Sequence, residues 1–332
     1  DYRKQFSNWW KGEFKVVKFP GKGTVLDYFV DPASNKLDEW NSLVSQIDYD
    51  PAVPMQNITV PTVETVSNTY FMKGFVDVGH AVLLIGSAGC GKTQLCKGLL
   101  GSLPVDNFTH FGVNFNYYTD SSLLQTTLEQ PLEKKAGRQF GPPGKLKLVY
   151  FIDDLNMPML DVYDTQTAIA LLRQQADYHH WFDRNKLMIR ENKNCQLLCA
   201  MNPTAGSFFV NPRFQRHFWL LAVPFPEQAS LITIYSTFMN GHFKKFKQGV
   251  QDLVPAVIKA ALALHAGVVA SFRKTAINFH YEFNIRHLSN MFQGLLVASP
   301  SHFQDPEKLV RMWIHESERI YGDRLVSVEH LN

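Results

Sequence analysis

The fold of this chain is decided by residues 81–93, which read Ala81-Val82-Leu83-Leu84-Ile85-Gly86-Ser87-Ala88-Gly89-Cys90-Gly91-Lys92-Thr93. The first part is a continuous apolar run, which is typical of a parallel strand buried on both faces. The part that begins at Gly86 matches the pattern G-x-x-x-x-G-K-[ST]. Because a helical pattern follows, the stretch predicts a strand, a phosphate-binding loop and a helix.

Each residue type in this loop has a chemical reason. Glycines let successive backbone N–H groups face phosphate oxygens without a clash from a β-carbon, and the helix that follows points its positive end at the same anion. Lys92 is expected to reach the β- and γ-phosphates, and the Thr93 hydroxyl to ligate Mg²⁺. Residues 86–93, with Gln94 behind them, therefore predict a site for ATP or ADP with Mg²⁺.

Two acidic residues follow a second apolar run. The run 148–152 predicts another buried strand, and Asp153 and Asp154 come directly after it. Ligands of parallel α/β sheets bind at the carboxyl ends of the strands. We expect Asp153 to hold Mg²⁺, commonly through water, and Asp154 to orient or deprotonate the attacking water. Two solvated acids at a strand end are the alternative.

Asn202 follows a third apolar run, residues 195–201. An asparagine in this place can hold the attacking water or contact the γ-phosphate. Since Asn-Pro is also a turn former, an ordinary turn is the alternative.

Helical patterns separate these strands, over residues 63–78, 121–132 and 165–176. Alternating strands and helices predict an α/β fold, a three-layer αβα domain with a parallel sheet. After Pro226 the strand-like runs end, which predicts a small helical domain. We expect a lead-in with short strands at 1–55, a nucleotide-binding domain at 56–226 and a helical lid at 227–332.

Composition excludes several classes of function. The net charge of +3 is spread over 332 residues without Lys/Arg blocks, so no nucleic-acid partner is expected. The apolar run 253–272 contains Pro255, Lys259 and His265, which favours a packed helix over a membrane span, and residues 1–12 do not resemble a signal peptide. The cysteines have no CxxC spacing and indicate reduced core thiols of an intracellular protein; they are Cys90, Cys96, Cys195 and Cys199.

With the three elements in this order, the chain resembles an AAA+ ATPase. More narrowly, it resembles the motor ring of axonemal dynein heavy chains, and the third of the ring's six modules is the best match. Long runs carry this resemblance: Phe115–Thr119, Pro131–Arg138, Gly141–Gly144, Phe151–Pro158 and Met201–Phe208.

The resemblance implies further roles around the nucleotide. Val60, Pro61 and Thr62 match the segment that lies along the adenine in this family. Asn202 matches its sensor asparagine. Arg286, in Phe283-Asn284-Ile285-Arg286, matches its second sensor and would reach the γ-phosphate from the lid; an ordinary surface arginine is the alternative.

The resemblance also implies partners and a location. Arg213 or Arg216 would be the arginine finger that serves a neighbouring module's nucleotide, while a local salt bridge is the alternative. The expected partners are neighbouring AAA+ modules of the same heavy chain, and microtubules only through other parts of it. The expected location is the cytoplasm and cytoskeleton, in the axoneme of a cilium or flagellum.

Two positions depart from the family pattern. Asp154 stands where AAA+ hydrolases usually carry Glu, and a general base displaced by about 1 Å slows a reaction by on the order of 10²-fold. Asp164 stands where a glycine is more familiar in these dyneins. We therefore expect ATP binding with slow hydrolysis in a regulatory module; a structural nucleotide-binding module without turnover is the alternative. Another P-loop enzyme, such as a small-molecule kinase or a GTPase, would not explain a helical domain carrying Arg286.

Overall fold

The computed structural model describes residues 2–204 and 209–331. Its lead-in contains α1 (Tyr2–Glu13), β1 (Tyr28–Asp31) and β2 (Lys36–Glu39). The α/β part contains α2 (Val63–Asp77), β3 (Ala81–Ile85), α3 (Lys92–Ser102), β4 (Phe108–Asn114), α4 (Ser121–Glu129), β5 (Glu133–Lys134), β6 (Gln139–Gly141), β7 (Lys147–Asp153), α5 (Thr167–Tyr178), β8 (His180–Phe182), β9 (Ile189–Asn192), β10 (Cys195–Met201), α6 (Pro212–Gln215) and β11 (Phe218–Ala222). The C-terminal part contains α7 (Gln228–Phe243), α8 (Gln248–Ser271), α9 (Ile285–Leu295), α10 (Pro306–Ile320) and α11 (Val328–Leu331).

The central sheet has five parallel strands in the order β11-β3-β10-β7-β4. The three interior strands are the three apolar runs of the sequence, and Leu83, Tyr150 and Leu198 on them are fully buried. The two edge strands, β4 and β11, were not predicted from the sequence. An edge strand keeps one side in solvent, so β11 leaves Trp219 and Leu220 half exposed, and β4 mixes polar with apolar residues.

Helices cover both faces of this sheet. On one face, α2 and α3 contribute Met72 and Leu99 to a core that includes Val82 and Leu84. The other face has its own core, to which α4, α5 and the alternate residues of the same strands contribute. The predicted three-layer α/β architecture is therefore confirmed.

The predicted helices are present, with shifted ends. The first one ends at Asp77, one residue earlier than predicted, and Gly79 follows its C-cap with φ +82°, a conformation that favours glycine. The other two, α4 and α5, occupy 121–129 and 167–178. A second small sheet, in the order β5-β6-β9-β8, lies beside them, and Trp181 in it donates its indole N–H to Glu129.

The lead-in is more ordered than the sequence predicted. Its short strands form the antiparallel pair β1–β2, but the helix α1 was not expected. Trp40, only 3% exposed, stacks on Phe29 and meets Tyr70 and Phe71 of α2 edge-on. These aromatic contacts attach the lead-in to the α/β part.

The C-terminal part is a helical bundle (α7–α11) with a core of its own. Judged only by its length and composition, the helix α8 could cross a membrane. Its apolar side, however, lies in the bundle core, where Val254, Ile258 and Ala261 are buried. Helical structure after β11 agrees with the predicted helical domain.

Candidate nucleotide-binding site

The loop 86–91 joins β3 to α3, as the motif predicts. Gly86 has no room for a side chain, because a β-carbon there would lie 2.4 Å from the carbonyl oxygen of Val223, just beyond β11. Gly89 has φ +78°, a conformation that other residues rarely adopt. Ser87 is exposed, Ala88 is half-buried and Cys90 is buried. The sequence of the loop thus matches its backbone geometry.

Lys92 is buried and already satisfied by the loop. Its ammonium group donates to the carbonyl oxygens of Gly86 and Ser87, each at 2.9 Å, and lies 3.7 Å from the Cys90 sulfur. Such charge-assisted bonds are strong. The ammonium is therefore held at the centre of the loop, where it can exchange carbonyl oxygens for phosphate oxygens.

Thr93 and Asp153 meet across the sheet. The Thr93 hydroxyl donates to Asp153 Oδ2 at 2.6 Å, although the two residues are 60 positions apart. A hydroxyl and a carboxylate side by side are the hard oxygen donors that Mg²⁺ prefers. In the described part of the chain no three His, Cys, Asp or Glu residues cluster as metal ligands. The pair therefore offers two oxygen donors that fit a magnesium ion.

Asp154 follows Asp153 at the same strand end and is only partly covered by its neighbours. Its backbone has φ +54°, in the left-handed region that Asp tolerates better than most residues. Burial and the Asp153 carboxylate raise the pKa of Asp154, and the positive charges of Lys92 and Arg286 oppose that rise. Asp154 therefore lies within the electrostatic influence of the loop lysine, of Asp153 and of Arg286.

Asn202 lies at the carboxyl end of β10, next to the start of the loop. Its side-chain oxygen accepts hydrogen bonds from the backbone N–H and the hydroxyl of Thr204 (3.1 and 2.9 Å), and its carbonyl oxygen accepts from Asn156 (2.8 Å). Asn202 thus forms a turn, which was the alternative considered from the sequence. It also lies at the end of the sheet where the phosphate loop begins. The rest of its motif, residues 205–208, lies outside the described residues.

The segment Val60-Pro61-Thr62 joins three parts of the molecule. Val60 is buried against Tyr49 of the lead-in and Phe238 of α7, and Pro61 is half-buried. Thr62 caps α2 by accepting the Thr65 N–H at 3.3 Å. This places a buried apolar residue and a helix cap in the segment predicted to lie along the adenine.

Gln94 ties the phosphate loop to the same segment. Its side-chain amide donates to the Thr59 hydroxyl at 3.1 Å. Thr59 belongs to no motif that was recognised in the sequence, so its contact with Gln94 was not predicted. The contact connects the first turn of α3 with the residues that lead into the predicted adenine segment.

The two candidate finger arginines differ in their contacts. The Arg216 guanidinium donates to Asp177 Oδ1 at 2.8 Å, and His217 contacts the same oxygen at 2.9 Å. The hydrogen bond from Arg216 holds the pKa of Asp177 below its usual range. Arg213 is exposed on α6, and within residues 2–204 and 209–331 its guanidinium has no hydrogen-bond or ion-pair partner. The local salt bridge therefore describes Arg216 but not Arg213.

The helical bundle reaches the α/β part near the loop. Arg286 is exposed in the first turn of α9, and its charge acts on Asp154. The preceding N-cap residue, Asn284, lies against Gly89. Farther along, Ser230 of α7 donates to the Glu64 carboxylate of α2, at 2.7 Å to one oxygen. Arg286 is thus close enough for a role at the site, and Asn284 joins the site without having been predicted.

The sequence also contains a match to N-K-x-D, the guanine-reading pattern of GTPases, that was not recognised from sequence. It comprises residues 35–38 and lies in the β1–β2 hairpin of the lead-in. The Asp38 carboxylate is occupied locally by the Glu39 N–H (2.8 Å) and the Ser42 hydroxyl (3.0 Å). The pattern therefore forms a turn here and does not support a GTPase.

Three models of known protein families match separate parts of the chain. A family model described as the P-loop containing dynein motor region matches residues 47–226. A model of the AAA+ lid domain matches residues 257–332, and a model of the dynein heavy chain AAA lid domain matches residues 1–42.

Individual dynein chains are similar over nearly the whole length. The dynein alpha chain of the flagellar outer arm of Chlamydomonas reinhardtii is 52% identical over 332 residues, 100% of this chain and 7% of that protein. Human dynein axonemal heavy chain 17 is 48% identical over 328 residues, which are 98% of this chain, and the ciliary dynein beta chain of Tripneustes gratilla is 48% identical over 329 residues, also 98% of it. The chain spans about 7% of the length of these relatives.

Proposed function

Because the chain belongs to the family of P-loop containing dynein motor regions, we propose that it is a regulatory AAA+ module of an axonemal dynein motor ring. The module binds ATP and ADP with Mg²⁺, hydrolyses ATP slowly, and changes the angle between its α/β domain and its lid as the nucleotide changes. Its location is the cytoskeleton of the cytoplasm, in the axoneme of a cilium or flagellum, since the relatives are axonemal, ciliary and flagellar chains.

One observation carries the proposal: the loop lysine and the Thr93–Asp153 pair lie at one edge of the sheet. The loop amides of residues 86–91 and the Lys92 ammonium hold the phosphates. Thr93 and Asp153, which are joined by a hydrogen bond, would hold Mg²⁺. When bound, the ion would supply positive charge against the charge that develops on the phosphate oxygens.

Hydrolysis also needs groups that handle the attacking water. Asp154 accepts its proton, and Asn202 orients it from the neighbouring strand end. Asp154 is one methylene shorter than Glu, so its carboxylate lies about 1 Å from the best position, which slows the step by on the order of 10²-fold. We therefore propose that the site holds ATP for longer than a fast motor site does.

Arg286 links the lid to the chemical state of the nucleotide. It reaches the γ-phosphate when ATP is bound and loses that partner when ADP remains. A ligand shifts a conformational equilibrium only by the contacts that differ between the two states. This single contact therefore supplies a reason for the lid angle to follow hydrolysis.

The chain also supplies a group to its neighbour. Arg213 is the candidate finger, because its exposed guanidinium is available, whereas Arg216 is paired with Asp177. A planar, permanently charged guanidinium suits the neutralisation of a transferring phosphoryl group. Neighbouring AAA+ modules of the same heavy chain are therefore the proposed partners, and microtubules are reached only through other parts of that chain.

We propose that this is the third module of the ring, with its α/β domain at 56–226 and its lid at 227–332. The match of a second lid model to residues 1–42 supports a module on the N-terminal side. The model of the AAA+ lid domain matches residues 257–332, which follow the P-loop domain along the chain. A lid segment that precedes the P-loop domain therefore belongs with another module, and the lead-in is the place where that module attaches.

A structural nucleotide-binding module is the second candidate. Asp154 in place of Glu favours it, because a nucleotide that is never cleaved can still join the α/β domain to the lid. A ligand present at a thousandfold excess over its dissociation constant stabilises the folded state by about 4 kcal/mol. In this case ATP and ADP would produce the same lid position.

Binding is tested first. Nucleotide is stripped from the 332-residue chain, and fluorescent ATP and ADP are titrated into it with and without Mg²⁺. Lys92→Ala is expected to lower the affinity at least about 100-fold, because it removes the buried ammonium at the centre of the loop. Lys97→Ala, an exposed lysine on the same helix, is the matched control and should bind like the unmodified chain. Equal affinities for all three proteins would refute the site.

Movement separates the two candidates. Spin labels on cysteines placed at Val105 and Val297, which are 84% and 78% exposed, report the distance from the α/β domain to the lid. Different distances with ATP and ADP support the regulatory module. One distance for both nucleotides, together with no single-turnover cleavage of radiolabelled ATP, supports the structural module.

A further inference from the structure

The side chain of Asn284, in the lid, lies against the phosphate loop at Gly89. A β-carbon added to Gly89 would lie 3.1, 3.2 and 3.3 Å from the Cγ, Cβ and Oδ1 atoms of Asn284. The absence of a side chain at Gly89 therefore makes the space that Asn284 occupies. The contact joins the part of the α/β domain that binds phosphate to the first turn of a lid helix.

Asn284 is also held firmly from the lid side. Its Oδ1 accepts the Arg286 N–H at 3.0 Å, and its own N–H donates to His287 Nδ1 at 3.1 Å, which together close a capping box on α9. The other ring nitrogen of His287 contacts the Arg324 guanidinium, which in turn donates to the His280 carbonyl oxygen at 3.0 Å. The asparagine cannot turn away from the loop without uncapping the helix.

The same cap sets the start of the helix turn that carries Arg286. A helix cap fixes the direction of the first turn, because the capping oxygen is bonded to an N–H of that turn. Any shift of Gly89 is thus passed through Asn284 to the backbone of Arg286. The charge of Arg286 acts on Asp154, which follows β7 at the same end of the sheet.

We propose that Asn284 is a positioning residue, whose seat on Gly89 couples the conformation of the phosphate loop to the placement of Arg286. The inference rests on the proposed nucleotide site and adds a residue to it. Asn284 does not touch the nucleotide. It transmits the state of the loop to the lid, so that the difference between ATP and ADP affinity depends on it.

Two substitutions separate this role from that of a plain helix cap. Asn284→Ser keeps a good N-cap but loses the carboxamide group, whose Oδ1 is one of the atoms that lie against Gly89. Asn284→Asp keeps the cap and the size, and its charge suits a helix N-terminus, but it places a carboxylate against the loop that binds phosphate. For a plain cap, Asn284→Ser would leave the ratio of ATP to ADP affinity unchanged, whereas Asn284→Asp tests only whether this side chain lies close enough to the loop to repel phosphate.

The measurement is the ratio of ATP to ADP affinity of the 332-residue chain, from titrations with fluorescent ATP and ADP, alongside its melting temperature. Coupling between two sites commonly changes affinity by about 5- to 150-fold, so Asn284→Ser should lower the ratio at least about fivefold at a nearly unchanged melting temperature. Asn284→Asp should weaken both nucleotides about tenfold or more, by the same range. Asp120→Ser, a change at the N-cap of α4, is the matched control and should leave the ratio unchanged.

A double substitution tests the route through Arg286. In a chain that already carries Arg286→Ala, Asn284→Ser should lower the ratio no further, because residues that act through one contact are not additive. An additive effect, or an unchanged ratio in Asn284→Ser, would overturn the inference while nucleotide binding remains. If the unmodified chain and Lys92→Ala bind nucleotide equally, the proposed site itself has failed, so the two failures are distinguishable.

Discussion

The substitution Asp154→Glu tests whether the length of one side chain sets the rate of this module. Asp154 directly follows β7, beside the Thr93–Asp153 pair, with φ +54°. One added methylene moves the carboxylate by about 1 Å, worth on the order of 10²-fold in rate. Glu tolerates the left-handed conformation less well than Asp, and a penalty of about 1 kcal/mol would remove about fivefold. The expected gain is therefore about 20- to 100-fold.

The assay is single-turnover cleavage of radiolabelled ATP, with stripped protein in excess and Mg²⁺ present. Asp154→Asn is the matched control, since it keeps the shape of the side chain but cannot accept a proton. It should bind ATP within a fewfold of the unmodified chain and cleave it no faster. Because the arginine of a neighbouring module is worth about 10³- to 10⁵-fold, the comparison is repeated in the heavy chain.

The proposed effect of side-chain length at Asp154 is wrong if Asp154→Glu and the unmodified chain bind ATP equally and cleave it at the same appreciable rate. Asp154 would then not limit the reaction, and the module would be an ordinary cycling ATPase. If all variants bind but none cleaves, in the chain alone and in the heavy chain, the structural module is the better explanation.

Four further predictions follow from single contacts. Burial raises the pKa of Asp154 above its usual 3.8, so the folded state binds this proton more tightly and stability falls as pH rises from about 4 through the raised pKa; urea titrations between about pH 4 and 7 should show that Asp154→Asn removes this slope. Thr93→Val should abolish the Mg²⁺ dependence of ATP affinity in titrations with and without a chelator, whereas an unchanged dependence would place the ion elsewhere. Arg213→Ala should slow the neighbouring module's ATPase by about 10³-fold, while Arg216→Ala should change it little and, because its ion pair with Asp177 is exposed, should leave the stability of the chain nearly unchanged; the reverse order would exchange their roles. Trp40→Ala should lower the free energy of unfolding, measured with urea, by about 3–5 kcal/mol. An unchanged free energy would mean that the lead-in does not unfold together with the rest of the chain.

Much of the site is local in sequence, which explains why it could be predicted. The glycine spacing and the Lys92-Thr93 pair occupy eight consecutive residues, and a buried interior strand leaves an unbroken apolar run before them. Asp153 and Asn202 were found in the same way, from their places after such runs. The roles of these residues in binding and chemistry remain predictions.

Other features left weak or misleading signals. The edge strands β4 and β11 keep one face in solvent, so their sequences lack a continuous apolar run and neither was predicted. The helix α1 is amphipathic but short, and its aromatic residues were attributed to strands and loops. Residues 35–38 match a nucleotide-binding pattern that the tertiary structure places in a hairpin of the lead-in.

Apolar periodicity and glycine spacing act over a few neighbouring residues, and for this reason the phosphate loop, the layered α/β architecture and the helical lid could be predicted without a structure. Contacts between distant residues could not be predicted in this way: Thr93 meets Asp153, Arg216 meets Asp177, and Asn284 lies against Gly89. Such contacts depend on how the sheet and the lid pack, and a contact between residues far apart in the chain imposes no period on either segment. For that reason the different contacts of the two arginines, and the contact between Asn284 and Gly89, became visible only in the folded chain.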